Sequence, residues 1–443
     1  MAENYLIVRK TGKRFNRKKC LPGSEIETTL LSDQLTSDST IMSHNNALSL
    51  FSGAGGDSLG LKRAGWNITH FSEFNEQAIR THLEAFPTSM LLRGTERSTD
   101  IKNIPDSVFE SLSGEIRLIF AGFPCQGFSH AGKKRVDDPR NELVHEFVRA
   151  TKIIKPEWVI GENVKGLLSR KGVYPPDTMP RPIIEIIREL FEEIGYKITY
   201  RVIDTVEVGV PQRRKRLIIV GHRGDLYPHL PWNDIDDIPT PTIRPLLTST
   251  LNGAIEVPEI YRPSEQPATF WIDTKEEKPS GIPHPNLIRL AGGIRNLSGK
   301  ELAEKKLSGK VQYVEPEGLI SFGVRKSGYH GQVLDPDMPS KTIICAYNQC
   351  PRLFVGLHNT STGKYWIRCL TPTECGQIQG FPEDYPWQGN TKEVISQIGN
   401  AVPPKLATSI AQWIESVVFK DVPQYSTTNE NKPKHDDSDE EDE

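Results

Sequence analysis

The feature that most constrains this chain is a rhythm between Leu48 and Val220. Short apolar runs there alternate with stretches whose apolar residues recur at helical spacing. Leu48–Phe51, Ile68–Phe71, Ile116–Ala121, Trp158–Ile160 and Arg216–Val220 read as strands. Leu143, Phe147, Ala150 and Ile154 mark one helix face, and Ile183, Ile187, Leu190 and Ile194 mark another, stopped by Gly195. Short buried strands alternating with helices predict an α/β fold built on a parallel sheet.

The rhythm has limits. Residues 1–46 are polar and rich in Ser and Thr, and they carry the basic cluster Arg9, Lys10, Lys13, Arg14, Arg17, Lys18 and Lys19. After about residue 225, Pro and Gly become frequent and the chain reads as irregular with short strands to about 365. Helix signals return at Thr371-Pro372-Thr373-Glu374, which has the form of a capping box, and after Pro403-Pro404. Seven acids between Asp436 and Glu443 form an acidic tail. Both ends read as solvated extensions.

Composition narrows the classes. No run approaches the roughly 18 apolar residues of a membrane span, and no secretory pattern opens the chain. Six cysteines scattered over 443 residues exclude a disulfide scaffold and favour an intracellular compartment. Cys345 and Cys350, and Cys369 and Cys375, lack the two-residue gaps of zinc knuckles, so no metal is expected. The net charge is -3; without the tail's seven acids, 54 basic side chains face 50 acidic ones, which permits a nucleic-acid partner without demanding one.

Chemistry-bearing residues gather at strand ends. Phe51-Ser52-Gly53-Ala54-Gly55-Gly56 follows the first strand, where glycines let backbone approach a ligand closely. Glu73 and Asp100 follow in turn; such carboxylates commonly hold a ribose or a cation. Pro124-Cys125-Gln126-Gly127 ends a later strand in a tight turn that favours a nucleophilic thiol over a buried one. The polar stretch from His130, with Lys133, Lys134, Arg135 and Arg140, suits a basic lid, although a solvated loop has the same composition. Glu162-Asn163-Val164, Gln212 to Arg216 and Gly399 to Pro404 complete the series.

In this order the blocks resemble the DNA (cytosine-5)-methyltransferase family, from about residue 47 to 418. Pro-Cys-Gln and Glu-Asn-Val, with Cys125 and Glu162 37 residues apart, are the most specific of them. The resemblance implies a Rossmann-like, mostly parallel sheet with helices on both faces, split over 47–225 and 366–418, and a smaller β-rich target-recognition domain at 226–365. It implies methyl transfer from S-adenosyl-L-methionine to carbon 5 of a cytosine flipped out of double-stranded DNA. Cys125 matches the nucleophile, Glu162 the carboxyl at N3, Arg216 the contact to O2, and Arg214 its neighbour. Phe51, Gly53, Gly55, Gly56, Glu73, Asp100, Ile101, Pro124, Leu143, Asn400 and Val402 match the cofactor pocket, so the C-terminal helix is expected to pack back onto the first domain. Gln126, Ser129, Lys133, Lys134, Arg135, Arg140, Gln212 and Thr342 match the DNA side. Trp271, Tyr329 and His330 suit either DNA contact or packing.

Two other readings follow from the resemblance. The tRNA-methylating branch shares the catalytic blocks, but its Cys-Phe-Thr element is absent. A catalytically inactive DNA-binding homologue need not keep Cys125, Glu162, Arg214 and Arg216 together. A monomer is expected, with no membrane partner. A modification enzyme beside a separate restriction endonuclease, a solitary enzyme and a viral one all fit the sequence.

Overall fold

The computed structural model describes residues 45–124, 143–172, 179–224, 239–257, 271–295, 320–324 and 329–418. The basic arm within 1–44 and the acidic tail within 419–443 lie outside these residues.

The expected strands appear as β1 (Asn46–Leu50), β2 (Asn67–Ser72), β3 (Met90–Leu91), β4 (Leu118–Ala121) and β5 (Trp158–Val164). Two-residue strands β6 (Lys171–Gly172) and β7 (Arg181–Pro182) pair with each other, and β8 (Tyr196–Asp204) and β9 (Lys215–Arg223) follow. The main sheet runs β3-β2-β1-β4-β5-β9-β8. From β3 to β5 every pairing is parallel, while β9 runs antiparallel to both β5 and β8.

Alternation along the strands builds two cores. Leu48, Leu50, Ile119 and Ala121 face α4 (Leu143–Ile154) and α5 (Ile183–Glu192), which contribute Phe147, Ala150, Ile187 and Leu190. Ala47, Leu118, Phe120 and Ile160 face the other way, against Leu61 of α1 (Gly56–Arg63) and the C-terminal helix. A residue shift of one would swap the two faces, so the pattern fixes register. Short α2 (Glu76–Ala85) and α3 (Asp106–Glu110) fill the connections.

A second sheet of six strands uses β10 (Ile255–Glu256), β11 (Ile272–Asp273), β12 (Ile320–Val324), β13 (Tyr329–Val333), β14 (Leu353–Asn359) and β15 (Lys364–Cys369). Trp271 packs in its core beside Leu287 and Leu290 of α6 (Pro285–Arg295), edge-on to Tyr365. Core packing is therefore the outcome for Trp271. The strand β8 and the helix α6 were not legible: β8 is a sheet edge interrupted by Lys197, Thr199 and Arg201, and α6 carries Gly292-Gly293 in its interior.

Three helices close the described residues: α7 (Pro372–Gln379), α8 (Thr391–Asn400) and α9 (Pro404–Val418). Thr371 and Glu374 form the expected capping box on α7. Helix α9 returns to α1, where a Cβ on Gly60 would stand 2.3 Å from Pro404 O and 2.5 Å from Ala407 Cβ. Only a residue without a side chain lets these helices approach so closely.

Candidate active site

Strand β1 lies between β2 and β4, so the chain reverses direction across the sheet at this point. In open α/β sheets the carboxyl ends beside such a reversal form the ligand crevice. The glycine turn after β1 and Gly122-Phe123-Pro124 after β4 both open there.

Phe51 takes a left-handed conformation, φ 56°, and its N–H donates to Ser72 Oγ at 3.3 Å. A non-glycine residue in this region marks local strain held by its surroundings. Gly53, φ 53°, donates its N–H to Glu73 Oε2 at 2.8 Å, and a Cβ there would meet nothing within 4 Å. A Cβ on Gly56 would stand 2.1 Å from Val402 O. The glycine turn thus rests directly on the Gly-Asn-Ala-Val segment from the far end of the chain, as the C-terminal return requires.

Glu73 is buried at the end of β2, and its Oε1 accepts from the N–H groups of Phe74 and Asn75 at 2.9 and 2.8 Å. Desolvation raises its pKa, and these N–H bonds partly oppose the shift. Asp100 is exposed, accepts from Lys102 N–H at 3.1 Å, and precedes the buried Ile101. Pro124 and Leu143 are half-buried, Val402 is buried and Asn400, the last residue of α8, is exposed.

Glu162 stands on β5, and its Oε1 lies 3.0 Å from Arg216 Nε on β9. A Cβ on Gly122 would lie within 4 Å of Val402 Cγ2, Glu162 Oε2 and Phe51 O. One corner therefore joins the glycine turn, the C-terminal segment and the Glu162 carboxylate. Asn163 donates to Phe123 O at 3.1 Å, fixing the backbone that leads to Pro124.

Arg214 is buried and donates to Gly399 O at 2.8 Å, to Ala401 O at 3.4 Å and to Ile343 O at 3.3 Å. Its guanidinium joins the connection between β13 and β14 to the C-terminal segment, which fits holding the site and not a phosphate. Gln212 requires a correction. Its side chain is 0 % exposed, with Nε2 donating to Gln379 and Oε1 accepting from Ile343 N–H at 3.0 Å. Both amide ends are spent inside the protein, so it braces the interior and does not face DNA. Thr342 Oγ1 donates to Arg213 O at 2.8 Å, beside the same junction. Cys125, Gln126, Ser129, Lys133, Lys134, Arg135 and Arg140 lie outside the described residues, as do the side chains of Tyr329 and His330.

Four residues escaped the sequence reading. Phe74, directly after Glu73, is 72 % exposed at the crevice edge; an aromatic adjoining a strand-end carboxylate was the available signal. Ser72 supports Phe51, and Tyr385 donates its hydroxyl to Ala54 O behind the turn. Asp57, in the first turn of α1, is fully buried and accepts from the Ser49 hydroxyl. Burial pushes its pKa up to about 7; the hydrogen bonds oppose this, and the Glu162 charge adds to it.

Comparison with known proteins agrees with this geometry. The family model for C-5 cytosine-specific DNA methylase matches residues 45–416. The type II methyltransferase M.PspPI of Psychrobacter sp. is 33% identical over 373 residues, 82% of this chain and 77% of that protein. M.Eco47II of Escherichia coli is 31% identical over 411 residues, 92% of this chain and 88% of that one. The fold matches the Entamoeba histolytica methyltransferase EhMeth (TM-score 0.54, 15% identity, 85% of this chain and 99% of that one) and Spodoptera frugiperda DNMT2 (TM-score 0.51, 17% identity, with the same coverage). With the switch-point crevice, the glycine turn and the Glu162–Arg216 pair in place, the chain belongs to the C-5 cytosine-specific DNA methylase family, and it is a DNA cytosine-C5 methyltransferase.

Proposed function

We propose that this enzyme methylates carbon 5 of a cytosine flipped out of a specific double-stranded DNA sequence, using S-adenosyl-L-methionine and a transient bond from Cys125. The supporting observation is the corner at Gly122, where Glu162 Oε2 and the Phe51–Val402 wall approach one point within 4 Å.

The residues fit the donor. The open space over Gly53 accepts a ligand where a side chain would otherwise stand, and Glu73, anchored by three N–H groups, retains acceptor capacity for ribose hydroxyls. Asp100 and Ile101 would flank the adenine, with Phe74 against its face, while Pro124, Leu143, Asn400 and Val402 complete the pocket. When bound, this group supplies an electrophilic methyl on sulfur.

The protein's own task is to make carbon 5 nucleophilic. The Cys125 thiolate adds to carbon 6, and the negative charge that develops on the ring is met by a proton passed to N3 from the Glu162 carboxyl, which takes it back when the thiolate leaves. Arg216, already paired with Glu162, is read as the contact to the ring O2. Carbon 5 takes the methyl, the carbon 5 proton leaves to a base, and the thiolate is expelled as the 5–6 double bond returns. Lys133, Lys134, Arg135 and Arg140, with Gln126 and Ser129, are read as the DNA-facing loop, and 226–365 as the target-recognition region, with Thr342 near the backbone.

Bisulfite sequencing of plasmid DNA from cells expressing the chain tests this reading. It should show methylated cytosine at one recurrent sequence, and Cys125→Ser should abolish the signal while S-adenosylhomocysteine still binds. Methylation that survives in Cys125→Ser, or its appearance in tRNA alone, would overturn the reading.

A further inference from the structure

Arg149 lies on α4, outside every set of residues discussed so far. Its planar guanidinium uses all five N–H donors. Nε and Nη2 donate to Glu146 Oε2 at 2.9 and 2.5 Å, Nη1 to Asp106 Oδ1 and Ile104 O at 2.6 and 3.1 Å, and Nη2 to Ile101 O at 3.0 Å. The same group lies 4.9 Å from the Phe109 ring centroid, in cation–π range. Arg149 is about one-quarter exposed, against 62% for Asp106.

The two backbone acceptors matter most. Ile101 and Ile104 bound the single 3-10 turn Ile101–Asn103, whose cap is the Asp100 carboxylate. Helix α4 begins at Leu143, and the helical rise of about 1.5 Å per residue puts Leu143 roughly 9 Å along the axis from Arg149. One guanidinium therefore connects the helix that presents Leu143 to the turn that presents Asp100 and Ile101. Two walls of the same pocket, contributed by segments some forty residues apart in sequence, are set at a fixed separation by a side chain that reaches neither the reacting atoms nor the crevice.

We infer that Arg149 is a positioning residue for the adenosyl end of the methyl donor: it sets the distance between the Asp100–Ile101 turn and the start of α4, and so tunes donor affinity without entering the chemistry. This rests on the donor-site reading above. Lysine is a poor substitute, because three donors on a flexible stem cannot hold two carbonyls and two carboxylates at once as the five donors of the guanidinium do.

The test is calorimetric titration of the full-length protein with S-adenosylhomocysteine, beside DNA binding and steady-state kinetics. Arg149→Met and Arg149→Lys should weaken S-adenosylhomocysteine binding about tenfold or more, raise the donor KM in step, and leave kcat at saturating donor and the DNA Kd within about twofold. Should Arg149→Met fail to fold, Glu146→Gln with Asp106→Asn loosens the anchor while keeping the arginine, and a rise in Kd of about threefold is expected. Donor affinity unchanged in the folded variants, or donor and DNA affinity falling together, overturns the inference. Wild-type protein that does not bind S-adenosylhomocysteine would instead remove the donor-site reading, and this inference with it.

Discussion

Arg216 Nε on β9 lies 3.0 Å from Glu162 Oε1 on the neighbouring strand, with the two side chains 7% and 12% exposed. An ion pair so shielded keeps each partner aimed at the crevice in the absence of substrate, and a charge-assisted hydrogen bond holds the geometry. Glu162→Gln is expected to lower kcat by about a hundredfold or more, with donor affinity within about twofold. Single-turnover methylation beside S-adenosylhomocysteine titration checks this; a kcat near wild type would remove Glu162 from the chemistry.

Phe74 gives a different split. Because it is 72 % exposed, truncation removes little packing from the folded protein. Phe74→Ala should weaken S-adenosylhomocysteine binding by about three- to tenfold, since an aromatic contact is worth about 0.5–1.5 kcal/mol, and should leave the urea midpoint unmoved. Equal donor affinity in the two proteins would place the ring outside the pocket.

Asp57 predicts a pH dependence. Its carboxyl holds a proton up to about pH 7 in the folded state but only to about 3.8 when unfolded. Between those values the native state binds more protons, so this group's contribution is complete below pH 3.8 and is lost as the pH rises through 7. Asp57→Asn should therefore exceed wild type in stability at pH 8 by on the order of a few kcal/mol, with the advantage vanishing near pH 4. Urea unfolding of both proteins across this range measures the difference; a constant gap would contradict it.

Arg368 and Glu374 form an ion pair with side chains only 1% and 0% exposed, and Thr248 and Thr250 supply further oxygens. The nearby arginine holds the Glu374 carboxyl below its usual range against an opposing desolvation. Arg368→Met leaves a buried carboxylate unpaired and should cost about 3–5 kcal/mol, whereas Arg368→Met with Glu374→Leu should recover most of it. A double-mutant cycle in urea decides; a pair loss equal to the sum of the single losses would show no coupling.

Much of the site was legible because its residues sit at strand ends, where a single chain position marks both the close of an apolar run and the opening of the crevice. Phe51 and Glu73 are of this kind, directly after β1 and β2, while Glu162 lies inside β5, two residues beyond its apolar run Trp158–Ile160. The resemblance puts Gln212, which precedes four cations, on the DNA side, and only the fold shows Gln379 and Ile343 closing over it. Nothing in the sequence around Asp57 signals its burial, which the fold brings about by setting it against Ser49 on β1. The second sheet was read as irregular because its first strands are two residues long and take their order from β14, which lies later in the chain than they do.

The contact between Gly56 and Val402 O has a consequence for how the enzyme is made. During synthesis the glycine turn leaves the ribosome hundreds of residues before the strip of backbone it must lean against. Until the last helix has been delivered, the nascent chain has half a crevice, with Leu61 and Phe120 still waiting for their cover from Leu406 and Ile410. A translation product that stops before Val402 therefore lacks the strip of backbone on which the glycine turn rests.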